Sequence, residues 1–302
     1  MQSTLVSLST ELARLVDQFQ SYVVAVHARA HYPSSGVHWR PGVVVTADHT
    51  IRRDEDIQVT LPDGKRVDAV LAGRDTGTDI AALKIEGLES PAAQPGDGDS
   101  VKAGELALVL GRSPDSGPNA SLGVISAVSG PWRTWRGGQL DNYIRLDATL
   151  FPNTSGGAVV DLRGHLLGIA TSGLSRIAGL AIPASSVNRV VDTLIAKGHV
   201  PRGYLGIGAQ PVGIPEALRA HLSLSAKSGI MVVKVEPDGP ADQAGLLLGD
   251  ILVNLGDATL EEFDDLQSVS GSGIIGKRVK ARVIRAGKLQ EIEITIGERP
   301  GK

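Results

Sequence analysis

The sequence predicts a mainly β protein, in which an antiparallel barrel or sandwich precedes a small α+β module. Ten short apolar runs between residues 22 and 171 are separated by turn signals, and no long helical pattern lies between them. A segment rich in glycine and proline, residues 198–203, then has the composition of a linker. Strand-like and helical patterns alternate beyond it, which indicates a second domain of mixed structure.

The first element is an amphipathic helix within residues 1–20. Leu5, Leu8, Leu12, Leu15 and Phe19 recur at three- and four-residue spacing, which places one apolar stripe along a helix. Such a stripe packs either on the helix's own domain or against another subunit or a membrane-proximal partner, and both alternatives stay open.

Residues 21–198 form the predicted β domain. Its ten strand-like runs are 22–26, 42–46, 57–61, 67–72, 80–85, 106–110, 123–128, 143–146, 158–161 and 166–171. Pro62-Asp63-Gly64-Lys65 supplies a hairpin turn between two of them. An amphipathic helix at 185–196, followed by Lys197-Gly198 as its stop signal, is expected to close the domain.

Residues 199–302 form the predicted second domain. Its expected strands are 204–208, 230–235, 251–255, 279–284 and 291–296. Its expected helices are 215–221, 240–244 and 260–270.

Composition excludes several classes of function. Apolar residues make up 42% of the 302 residues and charged residues 21%, as in globular proteins. A net charge of −3 argues against nucleic acid or an anionic membrane as the main partner. The absence of cysteine excludes disulfides, thiolate metal sites and cysteine nucleophiles.

The beginning of the chain carries no targeting signal of the secretory type, because a basic segment and a long apolar segment are both lacking. We therefore expect a cytoplasmic location for the chain as it stands, or a cell-envelope or periplasmic location if a targeting segment has been removed.

Three residues supply the chemistry of nucleophilic catalysis. Ser155 follows a Pro/Asn turn and precedes two glycines, where a hydroxyl is held on a tight, exposed turn. His49 ends an apolar strand, and histidine has a pKa suited to taking the serine proton. Asp79 begins the strand at 80–85 and would hold the far nitrogen of the histidine ring. Asp48 is the rival carboxylate, ranked lower because adjacent side chains diverge in a strand.

Ordered motifs around these residues resemble the HtrA/Deg family of trypsin-like serine proteases with PDZ domains. Thr46-Ala47-Asp48-His49 matches the family's histidine motif, and residues 75–84 match its aspartate motif throughout. Gly179-Leu180-Ala181-Ile182-Pro183 and Arg202-Gly203-Tyr204-Leu205-Gly206-Ile207 match two further segments. The chain order His, Asp, Ser is also that of chymotrypsin-like enzymes.

The resemblance implies a chymotrypsin-like double antiparallel β-barrel followed by an α+β PDZ domain, with no metal or cofactor. It implies Ser155 as nucleophile, His49 as general base and Asp79 as its orienting partner. The oxyanion hole would be formed by the N–H groups of Asn153 and Ser155. Asn153 departs from the family, which has glycine there, and losing one oxyanion donor costs on the order of 10²–10³ in rate.

The resemblance also implies two binding regions. The wall of the substrate pocket is expected at Thr149, Leu150, Gly168, Ile169, Ala170, Thr171 and Ser172. No acidic residue is among them, which favours small or medium aliphatic side chains in the substrate. The PDZ contacts to a terminal carboxylate are expected at Tyr204, Leu205, Gly206 and Ile207.

The function implied is that of a serine endopeptidase acting on unfolded or misfolded proteins, with peptide C-termini as partners of the PDZ domain. The resemblance further implies a homo-oligomer. Because the family usually forms trimers, a trimer is expected, with the helix at residues 3–19 as a candidate contact. The alternative is a catalytically impaired scaffold or chaperone that keeps the fold and binds peptides.

Overall fold

The computed structural model describes residues 4–88, 92–94, 101–269 and 271–299. It divides into two compact units, Met1–Val200 and Pro201–Lys302. The division falls inside the Gly- and Pro-rich segment 198–203. Residues 1–3 and 300–302, at the outer ends of the predicted domains, and Ser270, at the end of the predicted helix 260–270, lie outside the described residues.

The first barrel is a closed antiparallel sheet with the strand order β1-β2-β3-β6-β5-β4. Its strands are β1 Val23–His27, β2 Ser34–Arg40, β3 Val43–Ala47, β4 Ile57–Thr60, β5 Arg66–Asp75 and β6 Ile80–Lys84. Valine, isoleucine and leucine side chains fill its interior, which suits a chain with only 3% aromatic residues.

The second barrel is closed in the order β11-β14-β13-β12-β7-β8. Its strands are β7 Leu106–Ser113, β8 Gly117–Ser129, β11 Tyr143–Asp147, β12 Ala158–Asp161, β13 Leu166–Thr171 and β14 Gly179–Pro183. A small hairpin of β9 Trp132–Arg133 and β10 Gln139–Leu140 lies between β8 and β11 in sequence. The predicted mainly β fold with two barrels is therefore confirmed.

Two helices accompany the barrels. In α1 (Thr4–Phe19), Leu15 and Phe19 are buried in the core between the barrels, whereas Leu5 is 77% exposed. The second half of the stripe thus packs on the helix's own domain. α2 (Ala184–Lys197) ends where Gly198, at φ 77°, donates its N–H to the carbonyl of Leu194 over 2.8 Å. None of the helices among the described residues is long and apolar enough to span a membrane.

The second unit is built on one antiparallel sheet ordered β16-β17-β18-β20-β21, with β19 on β18 and a separate β15–β22 pair. Its strands are β15 Gly203–Tyr204, β16 Ile207–Gly213, β17 Ser228–Val235, β18 Ile251–Leu255, β19 Ala258–Thr259, β20 Arg278–Arg285, β21 Lys288–Thr295 and β22 Gly297–Glu298. Its helices are α3 Glu216–Leu222, α4 Pro240–Gln243 and α5 Phe263–Ser268. The single strand expected at 204–208 is thus two strands in different sheets, separated at Gly206 with φ 75°.

Candidate active site

His49 lies where β3 ends beside the start of β6. These strands are antiparallel with Ala47 opposite Ile80, so the residues after β3 meet the residue before β6. A single 3-10 turn at Asp48–Thr50 follows, and the hydroxyl of Thr50 donates to the carbonyl of Ala47 over 2.7 Å. Strand pairing therefore brings His49 and Asp79 together, although they are distant in sequence.

Asp79 is fully buried and precedes β6, with a left-handed φ of 60° that aspartate tolerates better than most residues. Its carboxylate accepts hydrogen bonds from the His49 N–H over 2.8 Å, from His49 Nδ1 over 2.8 Å and from the hydroxyl of Thr171. Because a carboxylate only accepts, Nδ1 carries the proton and Nε2 is left as an acceptor. That tautomer is the one a general base requires.

The rival carboxylate of Asp48 faces a different partner. It is buried and pairs with Arg74, which also contacts Asp54 over 2.8 Å. Asp48 contacts the His49 site through its backbone N–H, which donates to the carbonyl of Asp79 over 3.1 Å.

Ser155 lies on the turn that leads into β12. Thr154 donates its N–H to the carbonyl of Phe151 over 2.8 Å, and Gly157 donates to Thr154 over 2.9 Å. Gly156 has φ 89°, and a Cβ there would lie 2.1 Å from the carbonyl oxygen of Ser35, so the turn requires glycine at this position.

The hydroxyl of Ser155 contacts Ser172. Their Oγ atoms are 3.1 Å apart, and the Ser172 N–H donates to Ser155 Oγ over 3.3 Å. Within the described residues, no hydrogen bond joins Ser155 to His49. The structure therefore brings His49 and Asp79 into direct contact and holds Ser155 beside them on Ser172, a neighbour of Gly173.

Asn153 occupies the third position of the turn from Phe151 to Thr154 without a positive φ. Its side chain is therefore accommodated without the strain that a left-handed backbone imposes. In the part of the chain that the structure describes, the N–H groups of Asn153 and Ser155 donate to no protein acceptor. Both predicted oxyanion donors are thus available for a ligand.

The seven residues expected at the substrate pocket lie in different surroundings. Gly168, Ile169, Ala170 and Thr171 are buried in β13, whereas Ser172 and Thr149 are exposed. A Cβ at Gly179 would lie 2.4 Å from a methyl group of Leu150, so Leu150 covers that glycine. The assignment of these residues to a pocket stays a prediction.

The predicted PDZ loop lies between β15 and β16. Leu205 is buried in the core of the second unit, and its carbonyl accepts the N–H of Ala241 over 2.8 Å. The carbonyl of Gly206 accepts the N–H of Glu236 over 2.8 Å. The N–H groups of Leu205 and Gly206 have no acceptor within the described residues, and β16 is an edge strand.

Over residues 4–88, 92–94, 101–269 and 271–299, no group of three or more His, Cys, Asp or Glu side chains is placed to hold a metal ion.

Sequence reasoning missed several residues of the site. The contact of Thr171, a residue also expected at the pocket, with Asp79 is one of these omissions. Gly173 is more important, because a Cβ there would lie 2.5 Å from His49 Nδ1 and 2.7 Å from Asp79 Oδ2. Ser35 and Arg29 contact the Ser155 turn through its carbonyls. In the sequence, the glycine that directly follows Thr171-Ser172 is the signal that could have pointed to this close approach.

Comparison with known proteins identifies both domains. The trypsin-like peptidase domain matches residues 34–169, and the PDZ domain matches residues 203–296. A probable periplasmic serine endoprotease, DegP-like, from Brucella suis biovar 1 is 34% identical over 266 residues, which cover 86% of this chain and 51% of the relative. The corresponding protein of Chlamydia pneumoniae is 31% identical, with 86% and 53% covered. The chain therefore spans about half the length of these curated relatives.

Solved structures of relatives match nearly the whole chain. The serine endoprotease from Yersinia pestis is 30% identical with a TM-score of 0.74, covering 95% of this chain and 98% of that one. The HtrA-type protease AlgW, solved with a decapeptide, is 28% identical with a TM-score of 0.74, covering 96% and 99%. The chain belongs to the HtrA family of trypsin-like serine proteases that carry a PDZ domain.

Proposed function

We propose that the protein is a serine endopeptidase in which Ser155, His49 and Asp79 form the catalytic triad. The observation that carries the proposal is the contact of 2.8 Å between His49 Nδ1 and the buried carboxylate of Asp79, beside the Ser155 turn. This contact leaves Nε2 as the acceptor for the serine proton.

In the first half of the reaction, the Ser155 hydroxyl leaves Ser172 and donates its proton to His49 Nε2 as Oγ attacks the peptide carbonyl. The carbonyl oxygen becomes an anion, and the N–H groups of Asn153 and Ser155 are the donors for it. The imidazolium is stabilised by Asp79 and returns its proton to the leaving amine. The peptide C–N bond breaks, and an ester to Ser155 remains.

In the second half, a water molecule gives a proton to His49 Nε2 and attacks the ester. The same N–H groups serve the second oxyanion. Ser155 recovers its proton from His49, and the C-terminal carboxylate of the product leaves.

The second unit supports the binding of peptide C-termini. The free N–H groups of Leu205 and Gly206 suit a carboxylate, and the edge strand β16 suits an extended peptide that adds to the sheet. The relative AlgW has been solved with a decapeptide and with a tripeptide, which supports peptide binding by this chain. Unfolded or misfolded proteins, which expose extended segments, are the proposed substrates.

Assembly and location follow from the same family membership. The exposed first half of α1, with Leu5 77% exposed and Val6 48% exposed, is the proposed contact of a homo-oligomer, and a trimer is the proposed size. The names of the curated relatives support a periplasmic location. Sedimentation of the purified protein and fractionation of its native cells test these two points.

A second candidate function is a catalytically impaired scaffold that binds peptides. The contact of 3.1 Å between the hydroxyls of Ser155 and Ser172 favours it, because this hydroxyl does not meet His49 in the resting structure.

Labelling with a fluorophosphonate separates the two candidates. The endopeptidase predicts rapid labelling of the wild-type protein and cleavage of casein, both absent in Ser155→Ala, with a fall in kcat of roughly six orders of magnitude. An intact protein that neither labels nor cleaves casein, even with a peptide bound to its PDZ domain, would leave only the scaffold.

A further inference from the structure

The turn that carries Ser155 is held through its carbonyl groups, and all five from Phe151 to Ser155 accept a hydrogen bond. Two of these bonds are internal, from the N–H of Thr154 to Phe151 over 2.8 Å and from the N–H of Gly157 to Thr154 over 2.9 Å. The other three come from residues at the edge of the first barrel.

Ser35, at the start of β2, supplies two of these three bonds. Its hydroxyl donates to the carbonyl of Asn153 over 2.6 Å, and its N–H donates to the carbonyl of Ser155 over 3.1 Å. The third bond comes from Arg29, whose guanidinium donates to the carbonyl of Pro152 over 2.8 Å. Residues of the first barrel therefore hold the turn that carries Ser155, which leads into the second barrel.

Ser35 is itself fixed in place. It is fully buried, its Oγ accepts the N–H of Arg112 over 2.9 Å, and its carbonyl accepts the hydroxyl of Thr46 over 2.6 Å. A serine hydroxyl has a single proton to donate, and here it goes to Asn153. The hydroxyl therefore donates to the turn and cannot donate to another acceptor.

The hydrogen bonds from Ser35 and Arg29 fix the directions of the proposed oxyanion donors, because a peptide unit is planar and trans. The C=O and N–H of one unit point in opposite directions, so a carbonyl held on one side fixes an N–H on the other. The bond from Arg29 to the carbonyl of Pro152 fixes the peptide unit that carries the N–H of Asn153. The two bonds from Ser35, to the carbonyls of Asn153 and Ser155, fix the units on either side of the one that carries the N–H of Ser155. Within the described residues, the N–H groups of Asn153 and Ser155 donate to no protein acceptor.

We propose that Ser35 is a positioning residue for catalysis, which holds the turn so that the N–H of Ser155 faces the reacting carbonyl, beside the N–H of Asn153 that Arg29 holds. Ser35 acts through these groups and contacts no substrate itself. The inference rests on the proposed endopeptidase function and adds a residue to it.

Two adjacent serines provide a matched test. Ser34 and Ser35 are both fully buried in β2, but the hydroxyl of Ser34 has no partner within the described residues. We expect Ser35→Ala to lower kcat by roughly 10²-fold, the cost of a displacement of about 1 Å at a reacting group, with KM little changed. The fluorophosphonate labelling rate should fall by the same factor. Ser34→Ala should keep both rates at the wild-type level.

A folding defect is separated from a positioning defect by a second variant and a count of active sites. Ser35→Cys keeps a side chain that fills the site but donates only weakly, so its loss of kcat should resemble that of Ser35→Ala. Rates are taken below the melting temperature and divided by the fraction of protein that labels at saturation.

The outcomes are distinct for the two proposals. Wild-type rates in Ser35→Ala, or an equal loss in Ser34→Ala, overturn the positioning role and leave the endopeptidase standing. A wild-type protein that never labels removes the endopeptidase, and the positioning role is then overturned with it.

Discussion

At the scale of single residues, the contact between His49 and Asp79 requires a glycine at position 173, where a side chain would collide with both. Gly173 follows β13 directly beside the pair, and a Cβ there would lie 2.5 Å from His49 Nδ1 and 2.7 Å from Asp79 Oδ2. Atoms at such distances are in steric conflict, so either the imidazole or the strand end must move. Sequence patterns identified His49 and Asp79, but not this glycine, because the conflict exists only once the two barrels are assembled.

Replacing this glycine should disable catalysis without unfolding the protein. In Gly173→Ala we expect kcat to fall by about 10²-fold or more, since the new methyl group displaces His49, the proposed general base, from Asp79. Steady-state cleavage of a peptide substrate measures the change. Gly130→Ala is the control, because a Cβ there meets nothing within 4 Å. Equal rates in both variants would contradict the role assigned to Gly173.

At the scale of elements, the strands found from sequence are those with continuous apolar runs. β3, β6, β12 and β13 are examples, since each is buried on both faces and rich in valine, leucine and isoleucine. β2 was missed because it begins Ser34-Ser35-Gly36, a sequence typical of a turn. Backbone pairing with β1 and β3 makes this segment a strand, and the buried hydroxyl of Ser35 is satisfied by donating to the carbonyl of Asn153.

The apolar stripe of helix α1 lies in two different environments. Leu15 is fully buried between the barrels, and Leu5 is 77% exposed. The periodicity of the sequence predicts the apolar stripe. It does not show how much of the stripe packs against the rest of the domain.

The two halves of α1 should therefore differ in their effect on stability. We expect Leu15→Ala to lower the free energy of unfolding of the first unit by about 2–5 kcal/mol, from lost burial and a residual cavity. Leu5→Ala should change the free energy of unfolding of the dissociated subunit by less than about 0.5 kcal/mol, as is usual for exposed sites. Urea denaturation followed by circular dichroism measures both values. Similar losses in the two variants would show that the first half of α1 is also packed in solution.

At the scale of the whole molecule, the chain is two units with separate cores, so each unit has its own dependence on pH. In the second unit, Asp250 is buried and pairs with Arg285 over 2.6 Å. Burial opposes ionisation of Asp250, but the hydrogen bonds from Arg285 and from the Leu247 N–H outweigh it and hold its pKa below the ordinary value.

This lowered pKa stabilises the second unit above the ordinary pKa of aspartate, and the contribution is lost as pH falls through the lower folded value. Asp250→Asn should therefore lower the free energy of unfolding at pH 7 by about 1.5–3 kcal/mol, the range for hydrogen bonds to a charged group. The difference from wild type should shrink as the solution is acidified below pH of about 4. Thermal unfolding at several pH values tests this, with the exposed Asp257→Asn as control. A difference that does not depend on pH would contradict the role of the charge.

The central claim is that Ser155 is a nucleophile activated by His49, and mass spectrometry of the fluorophosphonate adduct tests it most directly. Peptide mapping should find one adduct, on Ser155, in the wild-type protein. The adduct should be absent in Ser155→Ala and should form at least about 10³-fold more slowly in His49→Ala. An adduct on another residue, or an unchanged rate in His49→Ala, would contradict the account.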